Sequence, residues 1–569
     1  MITGLWMEAL AEALFAEWLT ILNNLTLTGM LFKMNYKKIY AAFIVVSFCV
    51  TCSFAQQTKK PTKKVQLSKE QISSIKKEAA EYYKSENYKS ALELYKQLQE
   101  SVPDDGEFNY RLGVCYLNTN VNKKAAAEYL VKAAASKDAP KDVNLYLGRA
   151  LLILEELDDA ADTYEKYKID NHGKVNPKVN LENQVEWCYH ARDLKKTPIE
   201  VTFTNLGKLV NSINNDYRPV CNLIGDRIYF SSNRKGNTGA IVDGYGELIS
   251  DGYFTSKDTG FAKAKNLGPS INDMYYDEPL HLNTNGDRLL LYKEGSSAAS
   301  PLYTAELNGK SFNKAVPVLK FPAGKIEGAS MSSDGKTIYF SADLKGGKGG
   351  KDIWKTTLND KGVWSEPKNL GDGINTKYDE VNPWLFFDDQ TLFFASEGHN
   401  SMGGFDIFMS TQPDAAMEWS KAVNLGYPLN NTDDNKYFSL TADGKTGFIA
   451  ASTENGIGEL DLIKFVTAKP IIQTSRVVTK IILQKPDGTP ARDALCLLIK
   501  NDTGENIGLY KANSATGIMM AYLAPGNYKL KVKGVKSGRL DEDFTITGNE
   551  KDLQYIRTIK LNPLIKDKK

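Results

Sequence analysis

The sequence predicts a multidomain α + β protein in which an α-solenoid is followed by a β-propeller and then by a small β-sandwich. Three observations predict this order. Small and aromatic residues recur at a helical-repeat spacing between 69 and 195, and glycine-rich β-like runs recur between 198 and 466. A last region, 476–562, alternates short strands with turns. The chain has 569 residues, 42% of them hydrophobic, which is enough apolar material for several separate cores.

The charges and the reactive residues exclude several classes of protein. Lys and Arg number 71 against 69 Asp and Glu, so the net charge is only +2. Such a balance argues against a bulk nucleic-acid binder, and we expect no nucleic-acid partner. Four histidines and six cysteines are too few for a histidine-rich metal enzyme. We predict neither a metal site nor a cofactor.

The N-terminal residues carry a targeting pattern. Met34 precedes a short basic segment, and Ile39–Val50 is an apolar run too short to span a bilayer. Ser53 and Ala55 place small residues at a signal-peptidase site, so Gln56 becomes the mature N-terminus. The sequence therefore predicts a signal peptide at 34–55 and a protein that acts outside the cytoplasm.

Two alternatives accompany the targeting prediction. We interpret residues 1–33 as an upstream mis-start, and the alternative is a real amphipathic extension. A lipoprotein would use Cys52, but Thr51 is a poor residue before a lipidated cysteine.

Residues 56–68 are predicted to be a basic linker. No later run reaches about 18 consecutive apolar residues, so no transmembrane span is predicted.

Residues 69–195 are predicted to be helical repeats. Ala91, Ala125 and Ala160 lie at intervals of 34 and 35 residues. A tyrosine follows each by four residues and a small residue precedes each by twelve: Tyr95, Tyr129, Tyr164, Ala79, Gly113 and Gly148. Two helices that cross closely need a small residue at the crossing and a ring to fill the next gap. This pattern resembles the tetratricopeptide repeat. It predicts repeats near 72–103, 106–138 and 141–172, with a capping helix near 178–194.

Residues 198–466 are predicted to form a β-propeller. Five versions of one strand begin at 228, 289, 338, 392 and 447, and several follow Asn-Gly or Asp-Gly turns. The phrase Asn-Leu-Gly introduces four of the units, at 205, 266, 369 and 424. Four-stranded units at this period indicate propeller blades. The segment Ser332–Ser341 resembles the PD40, or TolB-type, propeller repeat. We predict five blades, and six is the alternative because Ile199–Phe203 offers a closing strand.

The last region, 476–562, resembles a carboxypeptidase-regulatory-like β-sandwich. The resemblance rests on a turn at Pro486–Pro490 and on the phrase Ala524–Tyr528, which leads into an alternating strand at Lys529–Val532. The resemblance implies a small non-catalytic module in which Tyr528 is buried in the sheet.

The sequence lacks the usual catalytic signatures. We find no nucleophile elbow, no H-E-x-x-H motif, no phosphate loop and no dinucleotide-binding glycine pattern. PD40 propellers occur in prolyl oligopeptidases, but no hydrolase domain is recognisable here. We therefore predict that the protein is not an enzyme. Cys115, Cys188, Cys221 and Cys496 show no zinc spacing and are predicted to be buried free thiols, with a Cys115–Cys188 disulfide as the alternative.

One set of acidic residues is a candidate binding site. Asp277 and Glu278 precede one predicted channel-lining strand, and Asp379 and Glu380 precede another. We hypothesise that they converge, with their side chains toward solvent, on one mouth of the propeller channel and hold Lys or Arg side chains of a partner. The alternative is that these carboxylates accept hydrogen bonds from turn amides in each blade.

The order of the regions suggests a biological setting. Signal peptide, tetratricopeptide stack, PD40 propeller and regulatory-like sandwich together resemble the PorE-type component of the type IX secretion and gliding machinery in Bacteroidetes-type bacteria. The resemblance implies a periplasmic scaffold, associated with the outer membrane, that binds other envelope proteins through its repeats and propeller. PorE-type proteins end in an OmpA-like peptidoglycan-binding domain, which is missing after residue 562, so we expect no direct peptidoglycan binding. A glycan- or substrate-binding accessory protein and a propeller-based hydrolase are the alternative functions.

Overall fold

The helical region begins at a capped helix and continues as antiparallel pairs. Ser68 and Gln71 form a capping box at its start, because each side chain bonds the backbone N–H of the other residue. Within the residues that the structure describes, the α-helices are α1 (Lys69–Lys84), α2 (Tyr88–Ser101), α3 (Gly106–Leu117), α4 (Ala126–Ala134), α5 (Val143–Ile153), α6 (Leu157–Asp170) and α7 (Leu181–Leu194). A 3₁₀ turn, Lys123–Ala125, precedes α4.

The computed structural model describes residues 67–174, 179–257, 260–294, 300–323, 325–414, 417–534 and 538–563. The predicted signal peptide, the upstream segment 1–33 and nearly all of the linker 56–68 lie outside these residues. The described residues from Ser68 onward belong to one compact unit. No helix in the described part of the chain combines the length and the apolar character that a membrane crossing needs.

The glycines of the repeats lie at close helix crossings. A Cβ on Gly113 would lie 2.6 Å from Cγ of Leu130, and a Cβ on Gly148 would lie 2.6 Å from Cε1 of Tyr164. Tyr164 is itself fully buried. The predicted small residue at a close crossing is therefore present in two successive repeats. The predicted ring fills the gap at Gly148, whereas Leu130 and not Tyr129 lies against Gly113.

A large β-rich region follows the helices, as expected from the sequence, and its arrangement of sheets is consistent with a propeller-like fold. It begins with β1 (Val201–Asn205) and continues as antiparallel sheets. The first contains β2 (Asp216–Cys221), β3 (Arg227–Ser232), β4 (Asp251–Ser256) and β5 (Lys265–Asn266). The second contains β6 (Asp277–Leu282), β7 (Arg288–Lys293), β8 (Leu302–Asn308), β9 (Ser311–Phe312) and β10 (Val316–Pro317).

Three further sheets repeat this arrangement. The third contains β11 (Ala329–Met331), β12 (Thr337–Ala342), β13 (Asp352–Thr357) and β14 (Lys368–Asn369). The fourth contains β15 (Glu380–Leu385), β16 (Thr391–Ser396), β17 (Asp406–Thr411) and β18 (Val423–Asn424). The fifth contains β19 (Phe438–Leu440), β20 (Thr446–Ala451) and β21 (Asp461–Thr467), with β1 paired to β21 as its outer strand. The segment near Ile199–Phe203 thus completes the fifth sheet, and the start of the region is tied to its end.

A repeated asparagine pair joins four of these five sheets to the loop that leads to the next sheet. In the third sheet, Oδ1 of Asn375 accepts from the N–H of Ile353 at 2.8 Å, and its Nδ2 donates to the Ile353 carbonyl and to Oδ1 of Asn369, both at 2.9 Å. Three other Asn-Leu-Gly phrases form the same pair, through Asn205 with Asn211, Asn266 with Asn272, and Asn424 with Asn430. The asparagine of the recurring phrase thus holds the sheet and the following loop together, and we name each such asparagine pair a clamp.

Two sheets that share one core complete the chain. One contains β22 (Val477–Gln484), β25 (Ile518–Leu523) and β28 (Gln554–Lys560), and β28 runs parallel to β22. The other, which we name the C-terminal edge sheet, has the order β24 (Asn506–Lys511), β23 (Ala494–Lys500), β26 (Gly526–Gly534) and β27 (Gly538–Ile546). Tyr528 is buried between them, and its hydroxyl donates to the Ala524 carbonyl at 2.8 Å.

Candidate functional site

Two of the four predicted rim carboxylates face into their sheets rather than toward solvent. Asp277 and Glu380 are fully buried as the first residues of β6 and β15. Asp277 accepts from the N–H of Asp273, and Glu380 accepts from the N–H of Thr376 at 2.8 Å. Each carboxylate thus closes the turn that enters its strand. The expected solvent-facing ring is wrong at these two positions, because the turn amides need a buried acceptor there.

The two Tyr-Asp-Glu phrases are not equivalent in the structure. The N–H of Asp277 donates to the Ser250 carbonyl, and the N–H of Glu380 makes the same bond to Lys351. Asp277 therefore occupies in the second sheet the position that Glu380 occupies in the fourth, whereas the two sequence phrases align Asp277 with Asp379. In a strand, a shift of one residue moves a side chain to the opposite face. Asp216 and Asn435 occupy the same position in two other sheets, where they accept from Ser212 and Asn431.

The other two predicted residues, Asp379 and Glu278, each approach a basic side chain. Asp379 is partly exposed, accepts from the N–H of Lys351 at 2.9 Å, and lies 3.7 Å from the Lys351 ammonium. Glu278 is 7% exposed and pairs with Nε of Arg218 at 2.8 Å. The four carboxylates therefore serve three different roles, and partner binding at this mouth stays a prediction.

The centre of the channel is crossed by a contact between two sheets, which we name the channel bar. It consists of Arg218 on β2 and Asn382 on β15, and the guanidinium donates to the amide oxygen. Both residues have a φ of +51°, in the left-handed region that non-glycine residues seldom adopt. Each precedes a proline and lies at a β-bulge. The bulge turns both side chains into the channel, and backbone strain of this kind concentrates at sites where a side chain must be aimed.

The channel bar is held from several sides. Arg218 stacks at 5.1 Å on the ring of Tyr437, and Nδ2 of Asn382 donates to the Lys436 carbonyl at 3.2 Å. Burial opposes the charge on Arg218, but Glu278 and the neighbouring Tyr437, Tyr217 and Glu327 together outweigh it, so the pKa of the guanidinium lies above its ordinary value. The arginine is a fixed cation that cannot act as a proton donor near neutral pH.

Little empty space remains beside the channel bar. The cavity there has a volume of about 30 Å³. All five sheets contribute residues to its wall, including Val220, Leu280, Ala329, Trp384 and Phe438. Such a volume has room for a water molecule and not for a sugar ring or a peptide side chain.

The helical repeats cover the mouth where the first strands begin. The ammonium of Lys89 lies 2.8 Å from Glu247 and 2.6 Å from Glu459, on loops of the first and fifth sheets. Lys123 lies 2.6 Å from Asp433. Carboxylates of Glu247, Glu459 and Asp433 thus lie at this mouth, and the cations that meet them belong to the same chain.

The last helix covers the fourth sheet at the same mouth. The side chains of Asn183 and Trp187 on α7 donate to the Glu397 carbonyl at 3.0 and 3.1 Å. A cleft of about 710 Å³ remains between the turns of the second and third repeats and the loop that precedes β19. Lys123, Leu154, Asp433 and Tyr437 are among the residues that line this cleft.

Two carboxyl groups at this mouth have pKa values that are shifted in opposite directions. Burial disfavours ionisation of Asp434, but Lys436, Lys123 and Arg149 outweigh it, so the pKa of Asp434 lies well below its ordinary value. Burial and the nearby Asp434 and Asp379 carboxylates raise the pKa of Glu397 to about 7. The interface therefore keeps one carboxylate charged and allows another to take up a proton near neutral pH.

The opposite end of the channel is closed by the C-terminal sheets. The hydroxyl of Tyr522 on β25 donates to the Ala442 carbonyl at 3.1 Å, and its ring packs edge-on against Phe386 at 5.8 Å. Asn285 accepts from the N–H of Met520 and donates to the Lys511 carbonyl, both at 2.9 Å. This closure is largely apolar, in contrast to the charged mouth.

Reactive groups are sparse in the part of the chain that the structure describes. There, no group of three His, Cys, Asp or Glu side chains is placed to bind a metal ion. Cys115, Cys188, Cys221 and Cys496 are buried free thiols. Burial raises the pKa of each thiol to about 12.

Neither the channel bar nor the lysines that meet the mouth are predicted from the sequence. A signal for the bar was present, because a polar residue precedes proline in three first strands: Arg218-Pro219, Glu278-Pro279 and Asn382-Pro383. No local pattern distinguishes Lys89 or Lys123, since their partners lie more than a hundred residues away along the chain.

Comparison with solved structures gives only distant matches. TolB from Acinetobacter baumannii is 11% identical, with a TM-score of 0.29, over 52% of this chain and 72% of that protein. The β-xylosidase/α-arabinofuranosidase CoXyl43, from a compost metagenome, is 13% identical, with a TM-score of 0.31, over 51% of this chain and 97% of the enzyme. The first tetratricopeptide domain of Spaghetti, bound to an HSP90 peptide, is 17% identical, with a TM-score of 0.20, over 23% of this chain and 98% of that domain. At these values the matches carry no argument about function.

The sequence comparisons identify the helical region. No curated protein matches the chain. The family model of the tetratricopeptide repeat matches residues 76–140 and 122–173. The repeats expected from the alanine, glycine and tyrosine spacing are thereby confirmed: the helical region of this chain contains tetratricopeptide repeats.

Proposed function

We propose that this chain is a non-enzymatic scaffold that binds other proteins of a cell-envelope complex. The observation that carries the proposal is the filled centre of the channel, where a cavity of only about 30 Å³ remains. The chain's own repeats cover one mouth, its C-terminal sheets cover the other, and Arg218 and Asn382 bar the centre. A propeller that acts on a small substrate needs an open route to its axis, whereas a scaffold needs a rigid body with exposed sides.

We also propose that the β-rich region is a five-bladed propeller and that the C-terminal sheets form a sandwich. The five sheets are five blades around one axis, since residues of all five line the central cavity. The two C-terminal sheets form a carboxypeptidase-regulatory-like sandwich. Tetratricopeptide repeats are protein-binding modules in the proteins that carry them, and here they are joined to the propeller by half-buried ion pairs.

The proposed location is the periplasm, in association with the outer membrane. The predicted signal peptide at 34–55 supports export, and the order of the regions resembles PorE-type components of type IX secretion. We propose envelope proteins as partners.

Crosslinking in intact cells tests the proposed function. Cells that express the tagged chain are crosslinked, fractionated and probed for co-purifying proteins, with N-terminal sequencing of the envelope fraction. We expect a defined set of envelope proteins and an N-terminus at Gln56. Recovery of the uncrosslinked chain alone, together with hydrolysis of model glycosides or peptides by the purified protein, would favour the enzyme alternative.

A further inference from the structure

The cleft between the helical repeats and the fifth sheet, which we name the repeat cleft, is large enough for a small-molecule ligand. Its volume of about 710 Å³ lies within the range of about 300–1,000 Å³ that ligand sites usually have. The repeats form one wall with 120–124 and 153–155, and the fifth sheet forms the other with 427–437 and 450–454. The small central cavity is lined by all five sheets, so the repeat cleft lies to one side of the channel.

Asn435 brings a buried hydrogen-bond donor without an acceptor to the repeat cleft. It is a lining residue, and only 7% of it is exposed. Its Oδ1 accepts from the N–H of Asn431 at 2.8 Å, but its Nδ2 has no acceptor in the part of the chain that the structure describes. Buried amide groups are nearly always hydrogen-bonded, so Nδ2 is placed to donate to a bound ligand.

The equivalent positions in two other sheets show that this free donor is particular to the fifth. Asp216 and Asp277 close the same turn through one carboxylate oxygen. The second oxygen is paired in both cases, with Arg234 for Asp216 and with Lys293 for Asp277. The fifth sheet has an amide at this position, so a group that is paired internally elsewhere is left open toward the repeat cleft.

Further amide and hydroxyl groups on both walls are without hydrogen-bond partners. Thr432 is 5% exposed, and its hydroxyl makes no hydrogen bond within the described ranges. The same holds among the described residues for the hydroxyl of Tyr437 and for the side-chain amide of Asn122 on the repeat wall. Neutral donors and acceptors are therefore available on both sides of the cleft.

The charges of the repeat cleft mostly cancel in pairs. Three lysines there lie within ion-pair distance of a carboxylate: Lys123 with Asp433, Lys195 with Glu155, and Lys436 with Asp434. Lys124 and Glu454 are exposed lining residues that add one charge of each sign. The cleft is thus close to neutral, which disfavours a phosphate, a nucleotide or a strongly charged peptide as its ligand.

The loop that forms one wall offers side chains and few backbone groups. Four of its N–H groups donate to acceptors within the protein, namely those of Asn431, Asp433, Asp434 and Asn435. An extended peptide that binds as an added strand needs a row of free backbone groups. The groups that remain free here are side-chain amides and hydroxyls, which suit a ligand rich in hydroxyl groups.

The repeat wall adds apolar surface to these polar groups. Val121 is 42% exposed and Leu154 is 36% exposed, and both line the cleft. A saccharide has hydroxyl groups that both donate and accept, and its C–H faces pack against apolar side chains. It therefore matches a neutral cleft that combines amides, hydroxyls and exposed aliphatic side chains.

We propose that the repeat cleft binds a neutral oligosaccharide. Nδ2 of Asn435 and the hydroxyl of Thr432 bond to sugar hydroxyls, and Leu154 packs against the face of a ring. This inference goes beyond the proposed scaffold function and does not depend on it.

Isothermal titration calorimetry on the full chain tests the proposal. The probes are three neutral trisaccharides: cellotriose, maltotriose and triacetylchitotriose. The charged controls are trigalacturonic acid and the chitotriose without its acetyl groups, and acetylated, amidated tetra-alanine is the peptide control. We expect at least one neutral trisaccharide to bind, and each control to bind about tenfold more weakly or not at all. Failure of all three neutral trisaccharides to bind would overturn the proposal. Tighter binding of the peptide would assign the cleft to a protein segment and also overturn it.

Asn435→Asp locates the site, because it keeps the oxygen that closes the turn and removes only the Nδ2 donor. Asp216 shows that this turn accepts a carboxylate. Asn455→Asp adds the same charge at an exposed residue of the same sheet outside the cleft lining, and is the matched control. We expect Asn435→Asp to weaken trisaccharide binding about tenfold or more, and the control to leave it unchanged.

Thr432→Val is a second, independent variant, which removes a hydroxyl at nearly constant volume. It keeps the test decisive if Asn435→Asp lowers the melting temperature. We expect weaker trisaccharide binding and an unchanged melting temperature for Thr432→Val. Full affinity in both Thr432→Val and a folded Asn435→Asp would mean that the sugar binds elsewhere, and would overturn the assignment of this cleft.

Discussion

The guanidinium of Arg218 reaches across the channel to the amide oxygen of Asn382, and both residues have left-handed backbones at equivalent bulges. Their sheets are first and fourth in the chain, so the contact joins parts of the ring that do not follow one another. Because Glu278 pairs with the same guanidinium, the bar also neutralises a buried carboxylate.

Arg218→Ala is expected to lower the free energy of unfolding by about 3–5 kcal/mol, since it leaves Glu278 buried without its counter-ion. Chemical denaturation measures the change. Arg288→Ala is the matched control, because its pair with Glu306 is 3.4 Å long and both side chains are well exposed, and about 0–1 kcal/mol is expected there. Equal losses in the two variants would contradict the role of the channel bar.

Gly148→Leu is expected to destabilise the repeats, because a Cβ at this position already overlaps the ring of the fully buried Tyr164. Overpacking of this kind costs about 1–3 kcal/mol. Thermal unfolding measures it against Ala80→Leu, which introduces the same side chain at an exposed position of α1. An unchanged melting temperature for the glycine variant would mean that the assigned crossing is wrong.

The stability of the protein should fall as the pH rises from about 4.5 toward 7. Burial raises the pKa of Glu380 from 4.5 to about 7, so in this range the folded state holds a proton that the unfolded state has released. The stabilisation is present below the unfolded pKa and is lost as the pH rises through the folded pKa. Denaturation across this range should show a smaller fall for Glu380→Gln than for the unaltered chain, and an unaltered fall for Glu78→Gln at an exposed position. An identical slope in all three proteins would refute the buried, protonated carboxyl.

Much of the fold was predictable because it depends on short, periodic signals. The small-residue spacing identified the repeats, and the Asn-Leu-Gly phrase marked the clamps, of which Asn369 with Asn375 is one. The site was less predictable. Register decides which carboxylate turns inward, and Asp277 and Glu380 corresponded only once the strand pairing was known.

The contact between repeats and propeller-like region is expected to be energetically coupled. Lys123 and Asp433 approach to 2.6 Å, and the lysine side chain is only 10% exposed. A double-mutant cycle with Lys123→Ala and Asp433→Ala should give a coupling energy of about 0.5–3 kcal/mol. The exposed pair Lys132 and Glu128, one turn apart on α4, is the comparison and should give less. Additive losses at Lys123 and Asp433 would argue that the repeats do not rely on this contact.

Site-specific photo-crosslinking in living cells tests the central claim, that the chain acts by holding other proteins and not through its channel. A photoreactive residue replaces Ile169, which is 70% exposed on the third repeat, or Leu509 on β24, or the buried Trp384 beside the channel bar. We predict crosslinks to envelope proteins from at least one exposed position and none from Trp384. Capture of a ligand at Trp384, with no protein captured at either exposed position, would contradict the account.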